Sequence, residues 1–362
     1  MITVITIILA IGLKNQLAHR GRARRHPPQP DLYQQLKRRR GGKSVTVEAV
    51  KTTESRHNRQ QHKHSDASTW PFAMPSFQLL LSVLGVSGLV YLGLCGWLRL
   101  IQRWMMYLPT ALGPATPQDW GRPYEEVWIP VEGHGDSGYL HGWWIPTSEA
   151  PGLTVLYLHG NSGSIASNIS QVRRLRALGA SVLTIDYRGY GRSSGPFPNE
   201  SRLYADAVAA YQFLVTHKAV DPHHLMAYGH SLGGAIAIEL ALRVPTLAGL
   251  VVEGSFTSMG DMAERSTYNA WFPVRRMLTQ QFDSLAKVPH LALPTLYIHG
   301  LADASVPATM GQTLHQATPA PADLWLVPKA DHNDLTTLAG ADFDHRLRQF
   351  FQHHILATSP SP

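Results

Sequence analysis

Gly229-His230-Ser231-Leu232-Gly233 has the spacing G-x-S-x-G. The five residues follow the apolar run LMAY and lead straight into GGAIAIELALR, so they sit where a strand turns into a helix. Such a turn strains the backbone of the serine, and side chains at the flanking positions would clash, which explains the glycines. It lifts the hydroxyl clear of the sheet and sets it at the positive end of the helix. A serine hydroxyl is a weak nucleophile that needs a base, and the base needs an orienting carboxylate. In a strand–turn–helix site the chain order is serine, acid, histidine. Asp303 lies in a loop after the apolar run that ends in His299, and His332 lies in Ala330-Asp331-His332-Asn333 after the last such run. Of nineteen histidines, His332 is the only one between the last strand candidate and the last helix candidate. Asp331 and Asp334 are too close in sequence to reach behind its ring and are expected to cap or solvate the loop. Glu253, at the end of an earlier run, is the rival to Asp303.

A tetrahedral intermediate needs two donors for its oxyanion. One is the amide of Leu232, next after the serine. The other is expected in His159-Gly160-Asn161-Ser162-Gly163, with the amide of Asn161 as donor and its side chain as a helper. This loop is not the HGGG of many lipases and esterases. The chemistry asks for no metal and no cofactor, and no cysteine–histidine zinc spacing occurs.

Residues with these roles must be held by a sheet. Continuous apolar runs at Thr154–Leu158, Ser181–Ile185, His224–Tyr228, Leu247–Val252, Thr295–His299 and Asp323–Val327 read as parallel strands covered on both faces. Helix candidates alternate with them near Ile169–Leu178, Arg202–Thr216, Leu232–Arg243, Met262–Phe282, Ala308–Gln316 and Asp342–His353. Glu125–Pro130 and Tyr139–Ile145 flank a turn-prone stretch and suggest an antiparallel pair. The alternation predicts an α/β fold with a mostly parallel sheet covered by helices on both faces. Met259 to Pro294 leaves room for a small lid or none, with Trp271, Phe272 and Met277 as lid or core residues.

The chain has 362 residues and a formal net charge of +7. The excess sits in residues 14–63, where fourteen Lys and Arg oppose only Asp31, Glu48 and Glu54. Residues 1–75 are polar and basic beyond the short apolar Met1–Leu13, and are expected to be a largely disordered tail. Without aromatic interleaving or a folded platform, that tail does not predict nucleic-acid binding. From Asp66 to Arg99 no charged residue occurs, and Phe77–Leu98 is long enough to cross a bilayer, with Trp70, Trp97, Trp104 and Tyr107 as interfacial aromatics. A transmembrane anchor is expected over residues 76–100, contacting lipid through 77–98, and a catalytic domain over 105–356, soluble and active when the chain is begun near Pro109. The basic tail favours a cytoplasmic N-terminus and a catalytic domain on the other side. The single cysteine, Cys95, excludes an intrachain disulfide.

LYLHGNSGS, TIDYRGYGRSSG, AYGHSLGG, PTLYIHGLADASVP and ADHND together resemble the α/β-hydrolase superfamily, over about Arg103 to Gln352. More narrowly they are similar to its serine aminopeptidase-like branch and to membrane-anchored α/β-hydrolase domain-containing proteins. The resemblance implies the α/β-hydrolase fold and a serine hydrolase acting on a small-molecule or lipid acyl substrate: an ester, or a thioester or amide. A serine aminopeptidase-like peptidase and a non-catalytic membrane-tethered binding protein on the same fold are the alternatives.

Overall fold

The computed structural model describes residues 76–132, 137–148, 152–319 and 321–356. The expectation for the tail, 1–75, lies outside the described residues. The first described element is one helix, α1 (Ser76–Met106). At 1.5 Å per residue it is about 46 Å long, against a hydrocarbon core of about 30 Å. It is long and apolar enough to cross a membrane. None of its residues is buried, and leucines and valines from Leu79 to Leu92 stand open.

Cys95 onward belongs to the compact unit that contains the sheet. That unit begins ten residues before the expected boundary at 105, because the last turns of α1 take part in its packing. Arg99 Nη1 donates to the Met277 carbonyl at 2.8 Å, and Gln102 Oε1 accepts from the Thr279 amide at 2.7 Å. Beyond the helix, Tyr107 is buried and its hydroxyl donates to Gln280 Oε1 at 3.0 Å. Leu108–Pro109 then pairs in parallel with Ser162–Gly163. A chain begun at Pro109 would lose the bonds of Arg99, Gln102, Tyr107 and the Leu108 amide, and keep that from the Thr110 amide to the Gly163 carbonyl.

The sheet comprises β1 (Glu125–Val131), β2 (Gly138–Ile145), β3 (Thr154–Leu158), β4 (Ser181–Ile185), β5 (Leu225–His230), β6 (Gly249–Glu253), β7 (Thr295–Gly300) and β8 (Ala322–Val327). Its order is β8-β7-β6-β5-β3-β4-β2-β1. Only β1–β2 and β2–β4 pair antiparallel, and the remaining pairs are parallel. Every residue of β3 to β7 is buried, as their uninterrupted apolar runs require. Side chains alternate between two cores. Leu156, Leu183, Ala227 and Leu250 face one, with Leu203, Ala207 and Ile236. Val155, Val182, Met226 and Val251 face the other, with Val172, Leu175, Phe343 and Leu347. The helices over these faces are Ile169–Ala177, Glu200–His217, Leu232–Arg243 and Leu335–Phe351.

Met262–Phe282 does not form the single helix its composition suggested. It breaks into Met259–Glu264, a 3-10 turn Thr267–Ala270 and Val274–Met277. Pro273 accounts for the break before Val274–Met277, since proline disfavours helical geometry in the residue before it and donates no backbone hydrogen bond. The result is a small cap rather than an added layer.

Candidate active site

β5 delivers Ser231 at its end. The backbone of Ser231 has φ 54° and ψ −118°, a conformation that L-residues rarely adopt. It is held on both sides: the Ser231 amide donates to the Glu253 carbonyl at 2.8 Å, and its carbonyl accepts from Gly234 at 3.0 Å. A Cβ on Gly229 would come within 2.1 Å of the Gly233 carbonyl, and one on Gly233 within 2.0 Å of the Leu158 carbonyl. The tight strand-to-helix turn therefore admits only glycine at these two places.

His332 comes from the loop after β8. Its Nε2 lies 3.0 Å from Ser231 Oγ and its Nδ1 lies 2.8 Å from Asp303 Oδ2. The bond network sets the tautomer: Nδ1–H donates to the carboxylate and Nε2 accepts from the serine hydroxyl. Asp303 comes from the loop after β7, where its Oδ1 accepts from the amides of Ser305 at 2.9 Å and Val306 at 2.7 Å. His299 Nε2 is 3.4 Å from its other oxygen. Burial alone would raise the Asp303 pKa, but these hydrogen bonds outweigh it and hold the carboxyl well below the usual range. Asp331 and Asp334 shape the loop: Asp331 Oδ1 accepts from the amides of Ala304 and His332, and Asp334 Oδ1 from that of Asp331.

A measurable pH effect follows. The folded-state pKa of Asp303 lies below its unfolded value of about 3.9, so the unfolded chain takes up the proton first as pH falls. The stability that this carboxylate contributes is present above about pH 4 and is lost below it. Melting temperature should therefore fall between about pH 4.5 and 2.5, and fall less steeply in Asp303→Asn, as read by scanning calorimetry. Equal slopes in the two proteins would refute this.

Glu253 is buried but faces a different partner. It accepts from Tyr228 Oη and from Gln171 Nε2 (3.1 Å), and pairs with His230 Nδ1 at 3.3 Å. Burial alone would lower the His230 pKa and raise that of Glu253. Their mutual attraction outweighs burial, so His230 is raised and Glu253 lowered. The His230 ring lies 5.1 Å from that of His332. Glu253 thus orients the neighbouring imidazole. Nothing in G-x-S-x-G, where the second position is open, signals this pair.

Leu232 begins the helix after Ser231, where backbone amides have no intrahelical partner. Asn161 lies in the loop after β3, and both residues line the same cavity as Ser231. The Asn161 side chain is engaged elsewhere: Nδ2 donates to the Met106 carbonyl at 3.0 Å, and its own carbonyl accepts from the Leu108 amide (2.9 Å) and Tyr190 Oη (2.7 Å). This fixes the loop against the end of α1 and removes the side chain from the helper role expected of it, leaving the backbone amide. Arg188, a candidate anion binder by type, is buried with its Nε 2.6 Å from Asp206 Oδ1, an ion pair within the fold.

The cavity has a volume of about 580 Å³, within the usual range for ligand sites. At one end it is lined by Ser231, His332, Gly160 and Asn161, and elsewhere by apolar groups that include Leu98, Met105, Met262 and Met277. No Asp, Glu, Lys or Arg is among its lining residues. The part of the wall supplied by Leu98 was hidden in the sequence because that residue also completes an apolar run long enough to cross a membrane.

Sequence and structure comparisons agree with this architecture. The family model for "Serine aminopeptidase, S33" matches residues 149–283. An uncharacterized protein of Mycobacterium tuberculosis is 35% identical over 272 residues, which cover 75% of this chain and 94% of that one. The α/β-hydrolase domain-containing protein WAV2 of Arabidopsis thaliana is 31% identical over 245 residues, 62% of this chain and 77% of its own. An esterase of Pyrococcus furiosus superposes with a TM-score of 0.60 at 21% identity, over 69% of this chain and 98% of that structure, a likeness of fold. The chain belongs to the α/β-hydrolase superfamily, and residues 149–283 are similar to its serine aminopeptidase-like branch.

Proposed function

We propose that this hydrolase is a membrane-anchored serine esterase. The observation that carries the reading is the hydrogen-bonded series Ser231–His332–Asp303, at 3.0 and 2.8 Å, opening on a cavity with no Asp, Glu, Lys or Arg in its lining. Ser231 Oγ attacks the acyl carbon while its proton passes to His332 Nε2. The bond to the leaving oxygen breaks, and that oxygen takes the proton from His332. The acyl group stays on Ser231 until water, giving a proton to His332, attacks the same carbon. The ester bond to Oγ then breaks, and Oγ recovers the proton. Asp303 holds the tautomer and steadies the imidazolium. The amides of Leu232 and Asn161 hold the oxyanion.

The cavity lining separates ester from peptidase chemistry. An aminopeptidase substrate carries a free ammonium, which is costly to bury without a counter-charge. Here the lining offers no carboxylate, and Glu253 is already paired with His230. A panel of acyl esters, acyl thioesters and aminoacyl amides assayed on the purified full chain should show turnover of the acyl esters and at least about 10²-fold less of the aminoacyl amides, the scale of rejection seen when a site cannot pair a polar group. Preference for the aminoacyl amides would replace this reading with the peptidase one.

The anchor reading rests on α1, apolar, unburied and free of charge from Ser76 to Trp97. Arg56, Arg59 and Lys63 on one side and Arg99 and Arg103 on the other favour a cytoplasmic tail and a catalytic unit across the membrane. The full chain should stay in the membrane pellet through an alkaline carbonate wash and leave it in detergent. Green fluorescent protein fused after Pro362 should stay dark when exported by the Sec route. Release by carbonate would refute the anchor, and bright membrane fluorescence would reverse the orientation.

A further inference from the structure

The cavity at Ser231 has one wall that comes from α1, the apolar helix itself. Leu98, Gln102, Met105 and Met106 line it together with Ser231. This wall is fastened to the fold. Gln102 donates to the Met277 carbonyl at 3.2 Å and accepts from Thr279, Arg99 donates to the same Met277 carbonyl, and the Met106 carbonyl accepts from Asn161. The facing side is the cap, with Met259, Met262, Met277 and Leu278. Five methionines in one lining are informative. Methionine is unbranched and adaptable, and beside the rings of Phe256 and Tyr268 the five thioethers let the lining follow a slender flexible ligand. The chain immediately before Leu98 has no charge back to Asp66 and composes the span.

We propose that this wall is the binding site for a long, unbranched fatty acyl chain of a membrane lipid ester, and that Leu98 and Met105 set the chain length the site accepts. The inference rests on Ser231 as nucleophile, since the carbonyl end of the acyl chain is placed at that hydroxyl. Hydrocarbon binding in such a lining scales with the apolar area removed from water, so each added methylene strengthens it until the wall is filled. The segment that anchors the protein is then also part of its specificity site.

The test uses the full chain in detergent micelles with p-nitrophenyl acetate, octanoate and palmitate. Leu98→Trp and Met105→Trp should each lower the palmitate-to-acetate ratio of kcat/KM at least about tenfold, the scale of a few methylenes lost from an apolar pocket. A ratio within twofold of the unsubstituted protein in both variants would overturn the proposal. A second measurement does not depend on turnover. The Ser231→Ala full chain is irradiated with a diazirine-bearing palmitic acid and the adducts are mapped by mass spectrometry. Adducts within residues 98–106 and 259–278 are expected, and adducts confined to residues 77–94 would overturn the acyl site. Those expected adducts, in a protein whose unsubstituted form hydrolyses none of the three esters, would support the acyl site while refuting the catalytic reading.

Discussion

Ser231→Ala is expected to lower kcat for ester hydrolysis by about 10⁴- to 10⁶-fold, the scale seen when a serine nucleophile is removed from an otherwise intact site. The fold should survive. Alanine keeps the Cβ that Ser231 already carries at φ 54°, and the two backbone bonds that hold the turn use only main-chain atoms. The loss is therefore a loss of chemistry: no other hydroxyl among the described residues bonds to His332 Nε2. Steady-state assays with a short-chain ester, beside a melting curve, separate the two effects. A loss below about tenfold with an unchanged melting temperature would show that the reaction runs through another group.

The second large effect is expected at Asp303. Asp303→Asn keeps the side-chain shape but offers an amide to His332 Nδ1, which favours the tautomer that cannot accept the serine proton. A fall of about 10⁴-fold in kcat is expected. Glu253→Gln should cost much less, because Glu253 meets His230 rather than His332. Its effect would act through the His230 ring beside His332 and through a buried pair that loses its charge balance. Measured side by side, the ranking decides the acid. A larger loss in Glu253→Gln than in Asp303→Asn would reassign it.

The two carboxylates also show where sequence reasoning reaches its limit. Glu253 ends one parallel strand and Asp303 follows another, each is buried, and each pairs with a histidine. The order serine, acid, histidine admits both, and the three-dimensional pairing separates them, since His230 hides in the open position of the serine motif. The strands were legible for a plain reason. Burial on both faces favours runs of apolar residues without alternation, and Val155-Leu156-Tyr157-Leu158 or Val182-Leu183 can hardly be read otherwise. Met262–Phe282 was misread because its apolar spacing suits a helix while Pro273 interrupts it. Leu98 satisfies the pattern of a membrane span and of a cavity wall at once, and the bonds from Gln102 and Asn161 show how the end of the helix is fixed beside the cavity. That is also why a chain begun at Pro109, attractive from sequence, would lack part of its site.

The identity of the nucleophile underlies every other assignment, and covalent trapping tests it most directly. The full-length protein in detergent is treated with a fluorophosphonate, digested, and mapped by tandem mass spectrometry. Ser231 should carry the phosphonate in stoichiometric amount, in parallel with loss of esterase activity, because the bond from its hydroxyl to His332 Nε2 at 3.0 Å activates that oxygen. A phosphonate found on a different residue, or full inactivation with Ser231 unmodified, would contradict the account.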